Sequence, residues 1–83
     1  MKYIIFKSGD LLKPIIFPDH IAHSEIICKN AIPVSAGFFK IDFGDITVYG
    51  ESVSLKLKPR KQDNELIKIS LLNTVPIKLF LNK

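Results

Sequence analysis

A short basic segment is the strongest candidate for chemistry in this sequence. Lys56-Leu57-Lys58-Pro59-Arg60-Lys61 places four cations among six residues, and Arg60 is the only arginine of the chain. A planar guanidinium suits bidentate contact with a phosphate, and neighbouring lysines add positive charge around it. The segment therefore predicts an anion-binding site in which Lys56, Lys58 and Arg60 hold phosphate groups.

A polar interruption precedes the basic segment. Tyr49-Gly50-Glu51-Ser52 breaks an otherwise apolar strand pattern, and Ser54 follows two residues later. Such breaks in a local pattern are frequent at functional sites. We expect Tyr49 to stack on a base and the two serines to bond a ribose or phosphate, with Glu51 helping to shape the site. The alternative interpretation is a solvated run of polar and charged residues that binds nothing.

Patterns for catalysis or metal binding are not found in the rest of the sequence. It contains no nucleophile elbow, P-loop or glycine-rich dinucleotide loop. His20 and His23 lie three residues apart, but zinc needs three or four ligands, so we interpret both as solvated or helix-capping histidines. The lone Cys28 excludes an internal disulfide and is expected to be a buried, inert thiol. We therefore expect a binding protein without catalytic residues, metal or cofactor.

The net charge of +4 arises in the C-terminal third of the chain. Residues 1–57 carry six basic and six acidic groups, whereas residues 58–83 carry six basic and two acidic groups. This charge is modest, and aromatic residues are not interleaved among the cations, which argues against a long nucleic acid as the partner. A small anionic, nucleotide-type ligand or an acidic protein surface fits the segment better.

The 83 residues form one domain, residues 1–83, whose composition predicts self-association. A domain of this size buries only about 60% of its unfolded surface, while 47% of the residues are hydrophobic. We therefore expect a homo-oligomer that covers the remaining apolar side chains. The N-terminal residues 1–6 hold five apolar residues before Lys7, fewer than a secretory or membrane segment requires. The chain is thus expected in the cytoplasm, without membrane contact.

The first half of the sequence predicts a hairpin and a short helix. Residues 3–6 and 11–17 are β-rich runs separated by the turn residues 8–10, and Pro14 restricts the second run to a sheet edge or a bulge. Asp19 resembles a helix cap, and apolar residues then recur at helical spacing, which predicts a helix over residues 20–29.

The second half predicts a further hairpin and a mixed C-terminal region. Residues 32–42 and 46–57 read as strands joined at Gly44-Asp45, with Lys56 and Lys58 on one face of the second strand. Asp63 caps a helix over residues 63–72, although the same residues also alternate like a strand, and residues 76–82 read as a final strand. The fold class expected is therefore α+β, a small antiparallel sheet with two short helices in the order ββαββα plus a C-terminal strand.

Two short motifs resemble small proteins of unassigned role that phages and prophages encode. The resemblance covers roughly residues 35–66 and includes Ser35-Ala36-Gly37-Phe38 and the run from Tyr49 to Leu55. Its motifs are Gly-Glu-Ser-x-Ser-Leu at residues 50–55 and Arg-x-x-Asp at residues 60–63, with Pro59 where those proteins carry a serine. The resemblance implies a phage counter-defence protein acting in the host cytoplasm, which sequesters a nucleotide-type immune signal inside an oligomer. The second interpretation is a protein–protein inhibitor of a bacterial defence effector comparable to an anti-CRISPR. A third is a plain structural or assembly accessory protein.

Overall fold

A four-stranded antiparallel sheet and one long helix make up most of the described part of the chain. The computed structural model describes the backbone of residues 1–81 and the side chains of residues 1–72. Strands β1 (Lys2–Ser8), β2 (Leu11–Phe17), β3 (Ile32–Asp42) and β4 (Asp45–Tyr49) lie in the spatial order β2-β1-β3-β4. A 3₁₀ turn covers His23–Glu25, and helix α1 spans Asp63–Leu81.

Both predicted hairpins form, each with a two-residue loop, but the second loop lies one residue before the expected Gly44-Asp45 turn. Ser8 pairs with Leu11 around a loop in which Gly9 has a φ of +61°. The β3–β4 loop consists of Phe43 and Gly44, with φ values of +52° and +85°. Positive φ at the loop residues gives the backbone twist that suits two-residue hairpins.

Pro14 lies on an edge strand, as the sequence predicts, because β2 is the outermost strand on its side of the sheet. In the β1–β2 ladder, Pro14 pairs with Ile5, three residues beyond the Ser8–Leu11 pair that closes the loop. Hydrogen-bonded and non-hydrogen-bonded pairs alternate in an antiparallel ladder, so the nitrogen of Pro14 faces the open edge. The missing N–H therefore leaves the ladder with β1 intact.

The central strand β1 contributes apolar side chains to both faces of the sheet. Tyr3 and Ile5 pack with Phe39 and with Ile67 of α1 on one face. On the other face, the buried cluster contains Ile4, Phe6, Phe17 and Ala36. This second face is covered by side chains from two irregular segments, residues 21–31 and residues 55–57. We call the first the helix face and the second the loop face.

The prediction of two short helices in a ββαββα order is wrong, and the 20–29 segment is the first reason. Only His23–Glu25 form a short 3₁₀ turn there, and Ala22 before it is extended, with φ −74° and ψ 146°. The carboxylate of Asp19 forms an ion pair with the N-terminal ammonium at 3.0 Å instead of capping a helix. A ten-residue helix is marginal without tertiary support, and here the apolar side chains pack onto the loop face individually.

The predicted strand over residues 46–57 is also wrong beyond Tyr49. The Ser52 N–H donates to the Leu57 carbonyl at 2.7 Å, and the Leu57 N–H donates back to Ser52 at 3.1 Å. This pair closes a tight turn in which Lys56 has a φ of +57°. The alternation of apolar and polar residues after residue 52 therefore does not reflect a strand, and Lys56 and Lys58 do not share a strand face.

The C-terminal region resolves the ambiguity over residues 63–72 in favour of the helix. Helix α1 begins at Asp63, as expected, but it continues to Leu81. The Asp63 carboxylate does not act as the expected cap, because among the described residues it accepts hydrogen bonds from Tyr3, Ser35 and the Arg60 N–H and not from N–H groups of the first helical turn. The predicted final strand over residues 76–82 is therefore wrong for residues 76–81, and residue 82 lies outside the described residues. A short apolar alternation fits a strand or a helix equally well, and here the chain continues as helix through the expected turn at 73–76.

The Phe43 loop position is locally unfavourable and provides a stability test. Its side chain is fully exposed, and its φ of +52° is a conformation that asparagine and glycine adopt more readily than phenylalanine. We expect Phe43→Asn to raise the free energy of unfolding by roughly 1 kcal/mol, measured by urea denaturation. Phe43→Leu, which keeps the backbone penalty, should change it little. A Phe43→Asn variant less stable than the native protein would contradict this account.

Candidate anion-binding site

The candidate site lies where the chain passes from one sheet face to the other. After β4 ends, Leu55 and Leu57 pack on the loop face, whereas Asp63 reaches the helix face. Residues 58–62 connect Leu57 to Asp63 and pass beside β3. A Cβ at Gly37 would lie 2.8 Å from Pro59 Cγ and 2.9 Å from the Tyr49 carbonyl oxygen. Only glycine at residue 37 therefore lets the connecting segment lie this close to the sheet.

Arg60 is the unusual residue of this segment. Its guanidinium atoms Nε and Nη2 are inaccessible to solvent and have no hydrogen-bond partner among the described residues. These atoms form the edge of the guanidinium that donates side by side to two oxygens of a carboxylate or phosphate. A buried donor without a partner costs about 1–3 kcal/mol, and more when it is charged. Within the described part of the chain, an entire bidentate edge is thus left unused beside the sheet.

Asp63 anchors the same segment through a fully buried carboxylate. Its Oδ2 accepts hydrogen bonds from the Tyr3 hydroxyl at 2.7 Å and from the Arg60 backbone N–H at 2.9 Å. Its Oδ1 accepts from the Ser35 hydroxyl at 3.0 Å. One carboxylate therefore joins β1, β3 and the first turn of α1, and it sets the position at which Arg60 precedes the helix. We call Tyr3, Ser35 and Asp63 the carboxylate cluster.

The electrostatics of the carboxylate cluster keep the Tyr3 phenol protonated. Burial raises the pKa of Tyr3 far above its ordinary range, and the hydrogen bond and negative charge of Asp63 raise it further. The positive charge of Arg60 acts in the opposite direction. The Arg60 side chain thus lies within electrostatic range of this buried phenol, and Tyr3 serves as a permanent hydrogen-bond donor.

Tyr49 provides an aromatic surface at the end of β4. Its ring stacks on Phe38, with 5.8 Å between the ring centroids and 21° between the planes. About half of Tyr49 is exposed. Gly50 has a φ of +70°, and a Cβ there would lie 2.8 Å from Phe38 Cδ1. The close passage of Gly50 over Phe38 explains why the strand pattern breaks at this glycine.

The remaining residues of the predicted site differ in accessibility. Ser52 is buried, and its hydroxyl accepts the Leu55 N–H at 3.3 Å, so it closes the 52–57 turn. Glu51, Ser54, Lys56 and Lys58 are exposed. All of them belong to the stretch between β4 and α1, and the structure places Ser54 and Lys56 within one tight turn.

Sequence reasoning missed the carboxylate cluster and the environment of His23. Asp63 was expected only as a helix cap, and nothing in the sequence pairs it with Tyr3, which is 60 residues away. His23 is buried, not solvated: its Nε2 lies 2.9 Å from the Gly37 carbonyl oxygen. Its ring contacts Phe17 and Phe38 edge-on. Before His23 the sequence has apolar Ile21 and Ala22, which do not show by themselves that the histidine is buried. Asp63 lies among polar residues, so its neighbours in the sequence give no signal of burial.

Metal-binding clusters and membrane-spanning helices are absent from the described residues. No group of three or more histidine, cysteine, aspartate or glutamate side chains there is arranged to hold a metal ion. Over the same range, none of the helices combines the length and the apolar character that crossing a membrane requires.

Comparisons with known proteins show no match from which a function could be transferred. No protein-family model matches the chain, and neither a curated protein nor a solved structure matches it significantly. The function is therefore inferred from the site itself.

Proposed function

We propose that this protein is a non-enzymatic phage protein that binds and sequesters a compact nucleotide-type immune signal. The unused Nε and Nη2 edge of Arg60 carries the proposal. Two oxygens of one phosphate group would accept from this edge, which replaces two unsatisfied buried donors with charge-assisted hydrogen bonds. The phage context follows from the motif resemblance at residues 50–55 and 60–63.

The neighbouring residues supply complementary contacts in this proposal. One face of the Tyr49 ring is stacked on Phe38, which leaves the other face for a planar base. Lys56 and Lys58 are exposed, and they would attract an anion through their positive charge alone, without the fixed hydrogen-bond geometry that a guanidinium imposes. Glu51 and Ser54 are exposed polar groups in the same stretch, whereas buried Ser52 shapes the turn.

Access to the buried edge of Arg60 requires its side chain to move. Its Nε and Nη2 are inaccessible to solvent, although the residue as a whole is only partly buried. Binding would therefore turn the Arg60 side chain toward solvent, while its backbone N–H stays bonded to Asp63. This separates the ligand site from the groups that hold the fold together.

The test is isothermal titration calorimetry with cyclic dinucleotides, cyclic ADP-ribose isomers and inorganic phosphate. We expect at least one nucleotide to bind, and Arg60→Lys to weaken that binding by about tenfold or more, because lysine keeps the charge but loses the bidentate edge. Lys13→Ala, which removes an exposed cation from β2, is the matched control and should bind like the native protein.

Two results would overturn the proposal. The first is the absence of heat with every nucleotide together with no co-purified nucleotide by mass spectrometry. The second is equal binding by the native protein and by a folded Arg60→Lys variant. If no nucleotide binds but charge reversal at Lys56 and Lys58 abolishes binding to a purified defence effector, the protein is a protein–protein inhibitor instead.

A further inference from the structure

The two edges of the sheet differ in how they are protected. At the β2 edge, Pro14 presents no N–H to the outside, and Lys13 beside it is exposed. Proline and lysine are common devices that prevent an edge strand from pairing with another chain. Strand β4 forms the opposite edge, and its residues Asp45-Ile46-Thr47-Val48-Tyr49 include neither proline nor lysine.

The alternation of hydrogen-bonded and non-hydrogen-bonded pairs along β4 shows which of its backbone N–H and C=O groups point away from β3. Asp42 and Asp45 flank a two-residue loop, so they form a hydrogen-bonded pair, and the same applies to Lys40 with Thr47. The Phe39 N–H donates to the Met1 carbonyl oxygen, away from β4, which confirms that Phe39 and Val48 form a non-hydrogen-bonded pair. The N–H and C=O groups of Ile46 and Val48 therefore point away from β3, toward the open edge.

These open groups are self-complementary. If two β4 strands pair antiparallel around a two-fold axis at Thr47, Ile46 of one copy lies opposite Val48 of the other. Both backbone groups of each residue then find partners, and all five residues of β4 are used. Registers centred on Ile46 or Val48 pair fewer residues.

The side chains also suit this register. Ile46 and Val48 are only partly buried in the helix-face core, so the partner strand would cover their open sides. The two copies of Asp45 would lie about 13 Å apart along the strands, which keeps the like charges separated. Thr47 is exposed and would face its own copy in a non-hydrogen-bonded pair, where side chains approach closely.

We infer that β4 pairs with β4 of a second copy of this chain, centred on Thr47, and joins two sheets into one continuous eight-stranded sheet. The interface includes Tyr49 but not Arg60, which carries the proposed function, so the inference does not depend on the proposed ligand. It assigns a specific edge to the homo-oligomer that the composition predicts.

A charge-pair experiment tests this inference directly. By sedimentation equilibrium, the native protein should have a mass that is an even multiple of the chain mass. Thr47→Lys and Thr47→Glu each place like charges opposite one another, and each should weaken β4 pairing by about tenfold or more. Mixing the two variants should restore association as a heterodimer. Lys13→Glu on the β2 edge is the control and should associate like the native protein.

Each other outcome contradicts the inference. A native protein that remains monomeric overturns it, and so does an unchanged association constant in a folded Thr47→Lys variant. Variants that dissociate but fail to associate when mixed overturn the register centred on Thr47. Circular dichroism of each variant establishes that the substitution, which lies at an exposed position, leaves the fold intact.

Discussion

Replacing Asp63 with alanine is expected to lower the free energy of unfolding by roughly 3–5 kcal/mol, more than any other substitution proposed for this chain. The carboxylate is fully buried and accepts hydrogen bonds from Tyr3, Ser35 and the Arg60 backbone. Alanine would leave two hydroxyl donors and one N–H without this partner. A domain of this size has a total stability of only about 5 kcal/mol or somewhat more, so the variant should be close to unfolded.

Two further variants identify the source of the Asp63 effect in urea denaturation experiments. Asp63→Asn keeps the shape and can still accept from Tyr3 and Arg60 while donating to Ser35, so we expect about half of the loss seen with alanine. Asp19→Ala is the matched control. It removes a carboxylate that is 70% exposed and pairs with the N-terminal ammonium, and it should cost less than about 1 kcal/mol. An Asp63→Ala protein within about 1 kcal/mol of the native one would contradict the role of the cluster.

Stability is expected to fall steeply at alkaline pH because of Tyr3. The pKa of this phenol is raised in the folded protein, chiefly by burial, whereas the unfolded chain releases the proton near its ordinary value of about 10. The stabilisation is therefore fully present below about pH 10. Above it the free energy of unfolding should decrease by up to about 1.4 kcal/mol per pH unit, since the folded state retains a proton that the unfolded state has lost.

Urea denaturation between about pH 8 and about pH 12 measures this dependence. Tyr3→Phe should remove the Tyr3 contribution to the slope, although it also lowers stability at neutral pH by deleting the hydrogen bond to Asp63. Tyr49→Phe is the matched control, because Tyr49 is about half exposed, and it should retain the native slope. Equal slopes in the native protein and in a folded Tyr3→Phe variant would contradict the assignment.

The carboxylate cluster also has a consequence for the proposed ligand site. Asp63 accepts the backbone N–H of Arg60, so the residue that would bind phosphate is positioned by the group that joins sheet and helix. Among the described residues, the Arg60 side chain makes no such bond through Nε or Nη2. Substitutions of the Arg60 side chain should therefore report on ligand binding, whereas substitutions of Asp63 report first on folding.

Local signals in the sequence predicted both hairpins, although the second turn lies at Phe43-Gly44 and not at Gly44-Asp45. Gly9 and Gly44 adopt positive φ within two-residue loops, and Pro14 lies at a sheet edge with its nitrogen facing outward. Each of these features depends on the backbone preference of one residue and on its immediate neighbours. Such preferences act wherever the residue is placed, so they can be recognised without the rest of the fold.

The extent of the longer elements depended on distant contacts. The helix expected over residues 20–29 is replaced by separate apolar anchors on the loop face, and His23 is held by Gly37, 14 residues away. The strand expected to reach residue 57 ends at Tyr49 because Gly50 bends the chain over Phe38. In both segments the apolar spacing was compatible with the predicted element, but burial against the sheet decided its conformation.

The sequence by itself determined the hairpin turns, the protected edge at Pro14, the start of a helix at Asp63 and the concentration of basic residues around Arg60. Only the tertiary structure decided that Asp63 is the buried partner of Tyr3 and Ser35, and that one edge of Arg60 lacks a partner within the described part of the chain. Turn and charge signals arise from neighbouring residues. The burial of a carboxylate or a guanidinium arises from elements far apart in the chain, and no local pattern records it.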